Sequence, residues 1–251
     1  MKKLPKVFLN GLQVFYSKDD IKREPATYQD LAIALDISNN EFHKQIKKNI
    51  MNSHSQVKDA SLFARRLEVF INKFSNTKDK TVVLDCGCGL GFIGRALNNS
   101  KNFKVFFSEP SRSIKKIINA IYPDKNFLHL PIEEIPEEFN NFFDVIYLRE
   151  VYPFTRSNDI NMHVELIRIL KKKLKENGIL IFEQIKNKED IFDNLKKLKL
   201  DYKKFYLFPV KLFNYKWFLK IYFRFNFLPL ISKLFYKLAA KKISHYIIVK
   251  K

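Results

Sequence analysis

Cysteine is nearly absent from this chain of 251 residues, which holds two. Cys86 and Cys88 are one residue apart, where a disulfide would be badly strained, so a disulfide-stapled secreted fold is excluded. A metal site would need more Cys or His ligands nearby, and the sequence places none there. Also missing is any run of about 18 uncharged apolar residues, so no membrane-spanning helix is expected. The opening Met1-Lys2-Lys3 leads into an apolar run broken by Asn10-Gly11, with no small-residue cleavage site and therefore no secretory signal. These absences point to a cytoplasmic protein.

Acidic residues are also short, 26 against 46 basic, for a net charge of +20. The imbalance is local: residues 201–251 hold 12 basic side chains and 1 acidic, whereas residues 81–200 hold 19 and 16. A nucleic-acid reading from the total charge is thereby weakened, and the asymmetry of the last fifth is what needs an explanation. Hydrophobic residues make up 46% of the chain, enough for one large α/β domain with additions.

What the chain does have is concentrated between Thr81 and Leu97. Thr81-Val82-Val83-Leu84 reads as a buried strand, followed by Asp85, by glycines at alternate positions (Gly87, Gly89, Gly91), and then by helical spacing. Glycine reaches positive φ at little cost and lets a ligand approach the backbone. The N–H groups of the following helix would favour polar or anionic groups. In open parallel sheets, ligands sit at the carboxyl ends of the strands, where this turn lies. A dinucleotide-binding turn would read G-x-G-x-x-G, and the sixth position from Gly87 is Phe92. The spacing here is acid-x-G-x-G-x-G.

In this stretch the sequence resembles the class I S-adenosylmethionine-dependent methyltransferases, whose first motif has that form. The resemblance implies S-adenosylmethionine as cofactor, glycines passing under its methionine part, and an acid, Asp85, helping to hold its amino group. A second signal comes about one βαβ step later, where Lys104 to Ser108 forms an apolar strand ending at Glu109. A carboxylate there can accept both ribose hydroxyls. Cys86 and Cys88 suit a crowded turn as small residues, and Cys88 lies among the cofactor-side positions with Gly87, Gly89 and Gly91.

The rest of the chain is consistent with that core. Val7 to Tyr16 flanks Asn10-Gly11 with two β-prone runs, a hairpin signal. Helical patterns follow over about Tyr28–Ala34, Glu41–Ile50 and Ser55–Phe74, the last with Ala60, Phe63, Leu67, Phe70, Ile71 and Phe74 on one face. They either cap the cofactor or cover the sheet. Further elements are expected as a helix over about Arg112–Ile121, strands at Asn126–Leu130 and Phe143–Leu148, a helix over Asn158–Lys175, and a strand from Ile179 to Glu183 after a helix-capping Gly178. The resemblance makes Ile132 and Glu133 neighbours of the adenine and sets Arg149 at the cofactor. It covers about residues 55–200 and implies a Rossmann-like, seven-stranded, mostly parallel α/β sheet. Tyr202–Pro209 and Ser244–Val249 would be its final antiparallel pair. Residues 1–54 then form a hairpin and helical cap, and residues 55–251 the methyltransferase domain.

Between the last two strands, at about 210–243, lies an insertion rich in aromatics and lysine. Lys216, Lys220 and Arg224 fall on one helix face beside an aromatic one. A lid, a contact with an anionic membrane surface, and a nucleic-acid grip all remain open.

Methyl transfer asks mainly for alignment and exclusion of water, with a base if the acceptor is a hydroxyl. Glu150 and Tyr152, just after the fourth core strand, and His163, at the start of the next helix, are the candidates. The segment from Arg149 to Phe154 lacks the Asn-Pro-Pro-Tyr type of pattern used on exocyclic amines. The expectation is O-methylation of a small metabolite, sugar or lipid-linked intermediate. RNA methylation and a non-catalytic scaffold at a membrane surface are the alternatives.

Overall fold

The structure, a computed structural model, describes residues 8–9, 12–13, 63–75, 80–89, 91–98, 100–110, 126–151, 154, 159–185, 200–206, 216–224 and 244–251. Strand β1 (Phe8–Leu9) pairs antiparallel with β2 (Leu12–Gln13), as the two β-prone runs lead one to expect, and Asn10-Gly11 lies outside the described residues. The helices expected over 28–34, 41–50 and 112–121 lie outside the described residues.

One seven-stranded sheet organises the rest. Its strands are β3 (Thr81–Cys86), β4 (Phe103–Ser108), β5 (Phe127–Leu128), β6 (Phe143–Arg149), β7 (Leu174–Ile185), β8 (Tyr202–Tyr206) and β9 (Ser244–Lys250), in the order β5-β4-β3-β6-β7-β9-β8. The first five pair in parallel, and β9 runs antiparallel between β7 and β8. Strands β3, β4 and β6 are nearly continuous apolar runs because both of their faces are covered.

On one face packs helix α1, over residues 63–74, whose Leu67, Phe70 and Ile71 are buried as their spacing requires. Phe70 meets Tyr246 of β9 edge to face at 4.6 Å and Phe205 of β8 at 5.5 Å. The short helix α2 (Phe92–Asn98) follows the glycine turn on the same face. On the other face lies α3 (Ile160–Lys173), capped by the Asp159 side chain, which accepts from the Met162 N–H at 3.1 Å. Its Leu166, Ile167 and Leu170 join Leu84, Ile146, Leu180 and Ile247 in the core.

One local expectation is corrected. Gly178 does not cap the preceding helix: α3 ends at Lys173 with Leu174 as its C-cap, and the residue in left-handed conformation is Asn177, with φ 62°. Strand β7 begins at once with Leu174, paired with Phe143, and a register shift before Val145 pairs with Ile179 absorbs the extra residues. Gly178 is needed for space instead, since a Cβ there would lie 2.9 Å from the Lys175 carbonyl oxygen.

Helix α4 (Lys216–Arg224) is the described part of the aromatic insertion. Tyr222 is buried, its hydroxyl 3.5 Å from the Tyr206 carbonyl oxygen, while Trp217, Ile221 and Arg224 are exposed on the opposite side. Among the described residues, no helix is long and apolar enough to cross a membrane.

Candidate active site

The turn between β3 and α2 forms because its backbone donors are answered from the neighbouring strand. Gly87 and Cys88 donate their N–H groups to the Ser108 carbonyl oxygen at 2.8 and 3.2 Å, and Gly89 donates to the Glu109 carboxylate at 2.9 Å. Gly87, Gly89 and Gly91 all hold left-handed backbone, with φ of 64°, 57° and 72°. Their surroundings differ. A Cβ on Gly87 would meet the Val151 methyls at 2.8 Å, and one on Gly91 the Phe107 ring at 3.0 Å, whereas one on Gly89 would meet none of the described residues within 4 Å. The turn is thus packed at both ends and open at Gly89, beside the half-buried Glu109.

Asp85 faces the other way. It is buried, and its Oδ2 accepts from the Gly94 N–H at 3.0 Å, tying the first turn of α2 to β3. That N–H is therefore taken up by the protein itself. A Cβ on Gly94 would lie 2.6 Å from this oxygen and 2.6 Å from the Phe107 ring, so the helix can approach the strand only through a glycine. Burial pushes the Asp85 carboxyl up to about 7, against the opposing effects of the Gly94 hydrogen bond and of Arg149.

A raised native pKa means that folding favours the protonated acid. The Asp85 contribution to stability is complete below about pH 4, the unfolded value, and is lost as pH rises through about 7. Asp85→Asn, whose amide oxygen can still accept from Gly94, is expected to remove that dependence. It should exceed the wild type in stability by about 2–4 kcal/mol at pH 8 and match it near pH 4, as read by denaturant melts across that range.

The other expected site residues are spread around this turn. The Cys88 Sγ lies 3.4 Å from the Gly89 carbonyl oxygen, and burial pushes the thiols of both Cys86 and Cys88 up, so both stay neutral. Ile132 is buried in the core, and Glu133 is exposed beside it on the 3-10 turn Ile132–Glu134. Glu150 leaves the carboxyl end of β6 with φ 53°, its N–H bound to the Glu183 carbonyl oxygen at 3.0 Å. Tyr152 lies outside the described residues. His163 is buried on α3, its ring 5.4 Å from that of Phe154, which packs edge to face on Phe182. It belongs to the core of the face opposite α1 and α2.

A polar cluster absent from the sequence reading lies next to Glu150. Arg149, Glu183 and Tyr246 are register partners across β6, β7 and β9, and Tyr147 precedes Arg149 by two residues, so all four share the face that α1 covers. The Arg66 Nη2 meets the Glu183 Oε1 at 2.5 Å, and its Nε donates to the Tyr246 hydroxyl at 3.1 Å. The Tyr147 hydroxyl donates to the other Glu183 oxygen. Burial works against the Glu183 carboxylate, but Arg66, Arg149 and the two tyrosine hydroxyls outweigh it and hold its carboxyl below the usual range. One signal was present in the sequence: Arg66 stands within the apolar face of α1, between Phe63 and Phe70.

A cleft of about 590 Å³ lined by Asn141, Arg168, Lys172, Leu200 and Lys251 lies elsewhere. Asn141 precedes β6 and Lys251 binds Gly178 ahead of Ile179, which places this cleft at the amino ends of the strands, away from the glycine turn.

The open space at Gly89, the Glu109 carboxylate beside it and the left-handed turn fit S-adenosylmethionine, with Glu109 suited to ribose hydroxyls and the turn to the methionine part. The model of a family described as a methyltransferase domain matches residues 84–182, from β3 through β7. Among solved structures, the plantazolicin methyltransferase BpumL, in complex with SAH, is similar over 88% of this chain and 95% of its own, with TM-score 0.54 and 16% identity. Phosphoethanolamine N-methyltransferase 2 of Haemonchus contortus, in complex with S-adenosyl-L-methionine, gives TM-score 0.49 and 16% identity over 78% of this chain; the match spans 58% of that protein's length. A SAM-dependent methyltransferase from Archaeoglobus fulgidus gives TM-score 0.49 and 14% identity, over 76% of this chain and 94% of its own. No match is found among curated protein sequences. Residues 84–182 thus match a methyltransferase domain, and the seven-stranded sheet order is the fold shared with the plantazolicin methyltransferase.

Proposed function

We propose that the chain transfers a methyl group from S-adenosylmethionine to an oxygen of a small acceptor lying at the carboxyl ends of β6 and β7. The observation that supports this reading best is the backbone of Glu150. A non-glycine residue in left-handed conformation costs about 1–2 kcal/mol, and such strain persists where surrounding structure enforces it, often at functional sites. Here the hydrogen bond from the Glu150 N–H to β7 enforces it at the mouth of the sheet.

When bound, the cofactor supplies a methyl carbon made electrophilic by its sulfonium. The protein aligns the acceptor and keeps water out. As the new oxygen–carbon bond forms, the acceptor hydroxyl gives up its proton, and the Glu150 carboxylate is the proposed recipient. The buried setting of His163 against Phe154 supports a packing role for that residue rather than a part in proton transfer. The exposed Trp217 and Ile221, beside Arg224, support a lipid-linked acceptor as the variant reading.

The test is transfer of labelled methyl to a panel of hydroxylated small molecules, free or carried in anionic vesicles, by the wild type and by Glu150→Gln. The variant is expected to lose about 10²- to 10⁴-fold in kcat with its S-adenosylmethionine affinity unchanged. An unchanged kcat would remove Glu150 as the base, and label found only on nitrogen or only on RNA would overturn transfer to an oxygen.

A further inference from the structure

The polar cluster on the α1 face carries more positive charge than its own residues neutralise. Among the described residues Glu183 is the one carboxylate within ion-pair distance of either arginine, and both of its oxygens are engaged, one by Arg66 and the other by the Tyr147 hydroxyl. Arg149 stands next to the same carboxylate, its Nε 3.7 Å from Oε1, too far for a hydrogen bond. Two guanidinium groups therefore meet at one carboxylate. They also share one ring, since the Phe63 centroid lies 4.8 Å from the Arg66 Cζ and 4.6 Å from the Arg149 Cζ.

Like charges held that close repel each other, and burial removes the water that would screen them. The Arg66 side chain is 0% exposed and that of Arg149 is 26% exposed, so of the two only Arg149 reaches solvent. Two buried donors, the Arg66 Nη1 and the Arg149 Nε, have no hydrogen-bond partner among the described residues. Unmet donors on a buried cation are costly, and an anion brought to them satisfies both the hydrogen bonds and the charge.

We propose that Arg66 and Arg149, over the Phe63 ring, form an anion subsite that takes the carboxylate or phosphate of a ligand held at the carboxyl ends of β6 and β7. The assignment rests on the methyltransferase reading only in expecting a ligand there. The anion belongs either to the acceptor or to the cofactor, whose amino-acid part ends in a carboxylate. Arg149 makes the exposed contact, and Arg66, fixed by Glu183 and Tyr246, presents its remaining N–H groups from behind.

The experiment uses Arg149→Gln in the full chain, with melting temperature measured at constant ionic strength in chloride, phosphate and citrate. The wild type is expected to be stabilised by phosphate or citrate over chloride, and the variant is expected to lose that response. In chloride alone the variant should melt at or above the wild-type temperature, because the unneutralised charge is gone. A structural ion pair would give the opposite, a clear fall in melting temperature together with an unchanged anion response, and that result would overturn the subsite.

Calorimetry then separates the two sources. A loss on the order of 10- to 100-fold in affinity for S-adenosylmethionine, but not for its decarboxylated analogue, assigns the anion to the cofactor. An unchanged cofactor affinity with a raised KM for an anionic acceptor assigns it to the acceptor. No change in either, with no anion response in the wild type, would reject the subsite. Cofactor binding by the wild type in the same titrations tests the methyltransferase reading separately.

Discussion

Gly89→Arg is expected to lose S-adenosylmethionine binding by at least about 100-fold while keeping the fold. The two halves of this result have separate causes. A Cβ at Gly89 meets none of the described residues within 4 Å, so they do not clash with it, and the cost to folding is the left-handed backbone, about 1–2 kcal/mol. The space that the arginine fills is the space beside Glu109 where the cofactor would lie, and its guanidinium can pair with that carboxylate. Calorimetry with S-adenosylmethionine and S-adenosylhomocysteine, alongside a thermal melt, reads both. Retained binding in the variant would show that the cofactor does not lie over Gly89. Gly87→Arg makes a useful contrast. There the Val151 methyls stand 2.8 Å from the new Cβ, so the fold should suffer along with binding.

Glu183→Gln is expected to cost about 3–5 kcal/mol of stability, the largest single loss at any polar position in this site. The carboxylate is 0% exposed and neutralises Arg66 at 2.5 Å, so its amide leaves two guanidinium groups facing each other without a counter-charge. Denaturant unfolding at neutral pH measures the loss, and a double variant in which Arg66→Met accompanies Glu183→Gln should recover much of it. The same group sets an acid limit. Its carboxyl titrates below the usual range when folded, so its stabilisation is present above the unfolded value of about 4.5 and is lost as pH falls below it. Were Glu183→Gln within about 0.5 kcal/mol of the wild type, the cluster would not be the electrostatic anchor of β6, β7, β9 and α1.

The local chemistry of the main strands and of the glycine turn could be read along the chain. Thr81–Cys86, Phe103–Ser108 and Phe143–Arg149 are apolar runs that suit strands covered on both faces, and they formed within a residue or two of their expected ends. The acid-x-G-x-G-x-G turn was legible because positive φ at alternate residues is a local demand that only glycine meets cheaply. The antiparallel pairing of β1 with β2 was legible in the two β-prone runs.

Tertiary structure decided what those local pieces face. Asp85, next to the turn in sequence, points into the sheet's covered face and holds Gly94, while Glu109, twenty residues beyond Gly89, reaches the Gly89 N–H. Gly94 looks like an ordinary helical glycine until Asp85 and Phe107 are seen against it. Arg66, Arg149, Glu183 and Tyr246 span most of the chain and meet only because β9 inserts between β7 and β8 and α1 lies across the row. Nothing in local sequence encodes strand order or the register that aligns three side chains across three strands. Patterning thus settled which segments become strands and where the glycine turn lies, since both follow from forces acting within a few residues. The neighbours of each buried charge, and so the anion subsite, follow from long-range packing that places low-dielectric walls around groups far apart in the chain.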